Sequence, residues 1–246
     1  MRNVIRGELR KAVTGRQWWI LPLAGTFLCL LSTFGFAAEG HKAVLAGGSA
    51  QDVTNDIARS WMMMFLFASL SGAILVSREY GHGTIGRSVL LAGSRTRLLT
   101  AKVAVATAAG AVFGLLAAGL GALACATAGL PYGDSPAFTG ETGLILAGVF
   151  ACSLLAAPWG ALVGWMLRNQ VAAVALLITL TLVVDPGVQA LAPDVAKYLL
   201  TIAMSAVYHD AKPDLLPVPW AFAAIAGWLT AAWFAAHRLV RTRDII

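Results

Sequence analysis

Ionisable side chains are scarce in this chain and missing from its longest apolar runs. Asp, Glu, Lys and Arg make up 12% of 246 residues, and none falls within 18–38, 60–77, 103–130, 144–167, 171–184 or 218–236. Proton and ion relays inside hydrocarbon depend on such groups, so an ion-coupled carrier is disfavoured. No G-x-x-x-x-G-K-[ST] run occurs, which excludes nucleotide hydrolysis through a P-loop of its own. No H-E-x-x-H and no Cys/His cluster occurs, which leaves no metal-ligand set. His41, His82, His209 and His237 all sit in loops or at run ends, so none stands mid-run beside a serine as an intramembrane protease requires. Cys29, Cys125 and Cys152 lie within apolar runs without paired spacing. They read as small buried hydrophobes, not as disulfides or ligands. No catalytic, metal or cofactor-binding residue is assigned.

Apolar residues fill the space instead. They make up 59% of the chain, with a mean hydropathy of +0.76. A soluble domain of this length has no core able to hide so much apolar surface, and lipid removes the need for one. A bilayer core about 30 Å thick needs roughly 20 helical residues. The six runs above are therefore candidate spans of one all-α polytopic membrane domain over 1–246. The fifth is short and stops at Asp185-Pro186-Gly187.

Charge decides whether it crosses. With six crossings and a cytoplasmic N-terminus, all of the 18 Lys and Arg residues except Lys42, Arg59, Lys197 and Lys212 lie inside. Among the acids, only Glu8, Glu79 and Asp244 do. This is the positive-inside distribution with both termini cytoplasmic. The net charge of +6 is segregated by loop, not gathered into a patch with interleaved aromatics, so its expected counter-charge is anionic lipid and not nucleic acid.

Three segments are neither spans nor plain loops. Residues 1–16 place Val4, Ile5, Leu9, Ala12 and Val13 along one helical face and Arg2, Arg6 and Arg10 along another, the pattern of an interfacial helix on the inner leaflet. Within 188–214, an apolar stretch over 195–207 is too short to cross and is bounded by prolines. It reads as a short outer or re-entrant helix. The third segment, 79–93, follows the second span directly. Gly81 and Gly83 permit a sharp turn, and Thr84 is placed to cap a short helix over 85–91 that ends near Gly93. The exposed side of that helix is expected to mix Ile85, Val89 and Leu90 with Arg87, which makes it a docking surface. A basic inner loop that merely obeys the charge rule is the simpler alternative.

Small residues recur at four-residue spacing: Gly110, Gly114 and Ala118 in the third span, and Ala156, Gly160 and Gly164 in the fourth. Such spacing brings helix backbones close. Packing within the bundle is the leading reading, with a dimer seam or a substrate-facing wall as alternatives. Pro158 is expected to kink the fourth span. Met62, Met63, Met64, Phe65 and Phe67 offer either core packing or an adaptable apolar wall for cargo.

The second inner loop carries a resemblance. Glu79, His82, Gly83, Thr84, Ile85, the pair Leu90-Leu91, and Arg95, Arg97, Ala101 and Lys102 stand between the second and third of six spans. This arrangement is similar to the permease subunits of ABC-2-type ABC transporters. Ser94 departs from it, since family members often carry proline there. The resemblance implies an exporter subunit of a bacterial inner (cytoplasmic) membrane that pairs with a second permease copy, expected to be a homodimer. It implies two copies of a separate ABC ATPase, which would hold the ATP and Mg²⁺, docked through Glu79, Tyr80, His82, Gly83, Thr84, Ile85, Arg87, Leu90 and Leu91. It further implies that Arg2, Ile5, Arg6, Leu9 and Arg10 of the interfacial helix move with that segment. By analogy, the second and fifth spans line the path, with Met62, Met63, Phe65 and Phe67 as lining candidates. The cargo is expected to be apolar or amphipathic: a lipid, peptide, antibiotic or drug. A non-transporting anchor that recruits an ATPase through the same loop is the alternative.

Overall fold

The computed structural model describes residues 1–133 and 135–243; Asp244 lies outside the described residues. Among them every regular element is helical, and six helices are long and apolar enough to cross a membrane. The chain is an all-α polytopic membrane protein. It begins with α1 (Arg2–Thr14), which precedes the first span. The spanning helices are α2 (Gln17–Leu45), α3 (Ala50–Gly81), α5 (Arg95–Thr127), α6 (Gly140–Leu167), α7 (Gln170–Leu191) and α10 (Val218–Thr242). The short helix α4 (Ile85–Ala92) joins α3 to α5, and α8 (Pro193–Ala196) and α9 (Leu200–Val207) lie between α7 and α10.

Several helices outrun their apolar runs, because helical propensity does not end where hydropathy does. α2 continues beyond residue 38 through Glu39, His41 and Lys42. α3 starts at Ala50, where the Ser49 side chain accepts a hydrogen bond from the Gln51 N–H, and it passes one 3-10 turn at Trp61–Met63. Arg59 is thereby a helical residue. It pairs with Asp56 at 2.8 Å and donates from Nε to the His209 carbonyl at 2.8 Å, tying α3 to the end of α9.

The fifth run is corrected in the same sense. α7 does not stop at Asp185 but continues to Leu191 and reaches 22 residues. A π-helical turn over Leu180–Val184 precedes Asp185, and Pro186 then falls in the first turn of the following helical segment. A missing N–H costs little in a first turn. The extension adds Asp185 to the helix, just beyond the apolar run 171–184.

α3 and α6 form the centre of the bundle, and glycine makes their approach possible. A Cβ on Gly160 would overlap the Ser69 carbonyl oxygen, and one on Gly72 would overlap that of Ala157. At Gly164 it would stand 2.7 Å from the Ala73 oxygen. α5 packs against both helices; a Cβ on Gly110 would stand 2.7 Å from the Ser153 oxygen and one on Gly114 2.8 Å from that of Phe150. The four glycines singled out by spacing therefore serve packing within this bundle. Gly72 and Gly148 belong with them; a Cβ on Gly148 would strike the Val207 oxygen of α9. α9 is buried almost throughout. Its Met204 carbonyl accepts from Cys152 Sγ at 3.4 Å, roughly 18 Å along α6 from Gly140 at 1.5 Å per residue. α9 is thus a helix packed into the bundle against α6.

Candidate functional site

Where α1, α3, α4 and α5 meet, at the basic end of the bundle, two acids and two lysines form one buried cluster. Lys102 of α5 is fully buried. Its Nζ donates to Glu8 Oε2 at 2.6 Å, to Glu79 Oε1 at 2.8 Å and to the Leu75 carbonyl at 3.3 Å. Lys11 of α1 donates to Glu8 Oε1 at 2.6 Å, to Glu79 Oε1 at 3.1 Å and to the Ser88 hydroxyl of α4 at 2.9 Å. Burial pulls the Lys11 ammonium down, but hydrogen bonds and charge from Glu8 and Glu79 outweigh it and leave Lys11 above the ordinary lysine value. The cluster is neutral, and its donors and acceptors come from four separate helices.

Local sequence explains how α4 reaches this point. Gly83 turns the chain with φ 65°, and Gly93 ends α4 in the left-handed region with φ 77°. Ser94, the departure from the family pattern, caps the next helix instead, accepting from the Arg97 N–H at 3.2 Å. Thr84 makes no side-chain cap; its hydroxyl donates back to the Glu79 carbonyl at 3.4 Å. Ile85, Ser88 and Ala92 face inward at helical spacing, so Arg87, Leu90 and Leu91 face outward. Leu90 and Leu91 are 83% and 74% exposed, outside any spanning helix. Between α4 and the end of α3 runs an open groove of about 610 Å³, lined by Lys11, Arg78, Glu79, His82, Thr84, Arg87, Ser88 and Leu91.

Three of the residues assigned to docking change place. Ile85 is buried, because the inward face of α4 needs an apolar contact beside Ser88. Glu79 is buried and engaged by both lysines. Tyr80 packs edge-on against Trp165, with centroids 5.8 Å apart, and the Arg168 guanidinium lies 5.3 Å over its ring. His82, Gly83, Thr84, Arg87, Leu90 and Leu91 remain exposed. In α1, Arg2, Arg6 and Arg10 are exposed and Ile5 is half-buried as expected, but Leu9 and Val13 are exposed too. Glu8 and Ala12 take the inward face because the carboxylate seeks Lys102.

The apolar pattern passed over Glu8, Lys11 and Ser88. The signal available was Glu8 itself, a lone acid in a basic segment three residues before Lys11. Other basic residues here are ties between helices: Arg95 donates to the Val240 and Arg243 carbonyls and Arg168 to that of Leu239, all at 3.1 Å, placing cations at the C-terminal end of α10.

Toward the opposite end, Met62, Met63 and Phe65 line a cavity of about 170 Å³ between α3, α7 and α9. Phe67 does not join them. It lies with Met64 against Gly25 of α2.

A family model described as ABC-2 family transporter protein matches residues 4–184, from α1 to the π-helical turn of α7. No curated protein matches the chain.

Proposed function

Since this chain belongs to the ABC-2 transporter family, and so is a membrane permease component of an ABC transporter, we propose that α4 is the surface on which a separate ATPase docks. The observation that carries this reading is the outward face of α4. Two leucines and an arginine stand exposed on a helix whose other face is tied through Ser88 to Lys11 of the charge cluster. Monomeric proteins seldom leave such residues uncovered beside a polar groove. A groove on the ATPase takes Leu90 and Leu91, and Arg87 meets an acidic side chain at its edge.

The mechanism follows from the cluster. The partner ATPase holds ATP and Mg²⁺, and its closure displaces α4. Ser88 passes that displacement to Lys11, and Glu8 and Glu79 pass it to Lys102. Pulling one member of a buried ion network away from the rest is costly, so α1, α3 and α5 move together with α4. This chain performs no chemistry. A second copy of it completes the path, placed against the exposed apolar side of α7, where Val171, Leu182, Val183 and Leu191 lie uncovered. The basic end faces the cytoplasm of a bacterium, where ATP is available. The cargo is exported, and it is apolar or amphipathic.

The test is ATPase stimulation in the purified permease–ATPase complex in lipid. Arg87→Glu combined with Leu90→Asp is expected to reduce permease-dependent hydrolysis at least tenfold while the permease inserts and unfolds normally. A doubly substituted complex with undiminished stimulation refutes docking through α4.

A further inference from the structure

The open groove between α4 and the end of α3 carries more positive charge than the protein itself balances. Three cations line it, Lys11, Arg78 and Arg87, against one carboxylate, Glu79. Glu79 is already matched by Lys102 at 2.8 Å and Lys11 at 3.1 Å, and Glu8 by the same two lysines at 2.6 Å. Two acids and two lysines cancel. Among the described residues neither Arg78 nor Arg87 has an ion pair or a side-chain hydrogen bond. The groove is left with the charge of two arginines.

Its position says where a balancing anion comes from. The Arg78 guanidinium lies over Gly15, so close that a Cβ there would stand 2.6 Å from its Nη1. Gly15 links α1 to the spanning helix α2, which starts at Gln17. Trp19 and Ile20, in the first turn of α2, are both exposed, and tryptophan marks the headgroup level of a bilayer. One wall of the groove therefore stands at the depth of lipid phosphates. Its volume of about 610 Å³ lies within the about 300–1,000 Å³ of a small-molecule site, room enough for a headgroup. A guanidinium offers paired N–H donors that match phosphate oxygens, and basic pockets at the ends of membrane helices take lipid headgroups. Arginines that merely obeyed the charge rule would point apart into solvent. These two converge from α3 and α4 on one concave surface.

We propose that this groove binds the phosphate of an anionic phospholipid, held by Arg78 of α3 and Arg87 of α4 with Lys11 beside them. The site is distinct from any cargo path and requires only that the chain spans a membrane. Arg87 also edges the docking face, so the test is built on Arg78, which does not. A lipid held here bridges the end of a spanning helix to α4, and membrane charge then bears on the helix that faces the ATPase.

Native mass spectrometry of the full chain counts the lipids it retains from micelles holding equal amounts of dioleoylphosphatidylglycerol and dioleoylphosphatidylcholine. A single phosphatidylglycerol, kept in at least about tenfold preference, is expected. Arg78→Gln should remove that preference. Arg6→Gln takes the same charge from the exposed face of α1, outside the groove, and should leave it unchanged. Thr84→Glu sets a carboxylate in the groove without touching Arg78; it should act as Arg78→Gln does, and it decides the matter if that chain fails to insert. Glycerol phosphate or inorganic phosphate at the lipid's concentration should not displace it; displacement by either assigns the groove to a soluble phosphate and overturns the lipid. Equal retention of the two lipids, or equal losses from Arg6→Gln and Arg78→Gln, overturns the site itself. Leu90 does not line the groove, so Leu90→Asp should retain the lipid, and failure of docking and failure of this site are told apart.

Discussion

Lys102→Met is expected to destabilise the protein by about 3–5 kcal/mol, the usual cost of removing one partner from a buried ion network. The lysine is fully buried and is the cation that reaches both Glu8 and Glu79 from within the bundle. Without it the two carboxylates face each other with Lys11 alone, whose side chain is 40% exposed. α1 should then lift away, because Glu8 is its main inward polar anchor. Thermal unfolding in detergent measures the first effect, and tryptic cleavage near Arg10 the second. Combining Lys102→Met with Glu8→Gln and Glu79→Gln removes the stranded charge and should recover most of the loss. If Lys102→Met costs no more than an ordinary surface substitution, within about 0.5 kcal/mol, the cluster does not hold these helices together.

Gly160→Ala is expected to cost about 1–3 kcal/mol, the range for forcing extra volume into a packed core. Its Cβ meets the Ser69 backbone, which cannot rotate aside as a side chain can. Gly72→Ala should behave alike from the other helix, against Ala157. Gly143 of α6 is the control, since a Cβ there meets nothing within 4 Å. Gly143→Ala should be neutral, or stabilising by about 0.5–1 kcal/mol through helix propensity. Opposite signs within one helix separate close approach from propensity. Equal effects of Gly160→Ala and Gly143→Ala in thermal unfolding would mean that α3 and α6 do not approach as closely as described.

Much of this molecule was legible before any coordinates. The all-α polytopic class came from hydropathy and the number of crossings from hydropathy and the distribution of basic residues together, and the structure has six helices long and apolar enough to cross. α4 ends at Gly93 because only a residue without a Cβ takes that left-handed conformation cheaply. The glycine spacing in the third and fourth spans correctly named contact faces. Helix ends were less legible, because an apolar window stops at the first polar residue while the backbone hydrogen bonds do not. For that reason the apolar run 171–184 is shorter than its helix, which continues past Asp185 to Leu191.

Hydropathy is a property of each side chain by itself: its transfer free energy depends on lipid and water, not on which residue lies opposite. The sequence therefore determined by itself where the membrane helices lie and which end of the bundle is basic. Whether a charge is solvated or paired depends on a second residue, and here those partners are remote. Lys102 finds Glu8 94 positions away and Glu79 23 positions away. Only the tertiary structure, by bringing four helices to one point, decided that Glu79 turns inward, that Ile85 is covered, and that Arg87, Leu90 and Leu91 are left exposed.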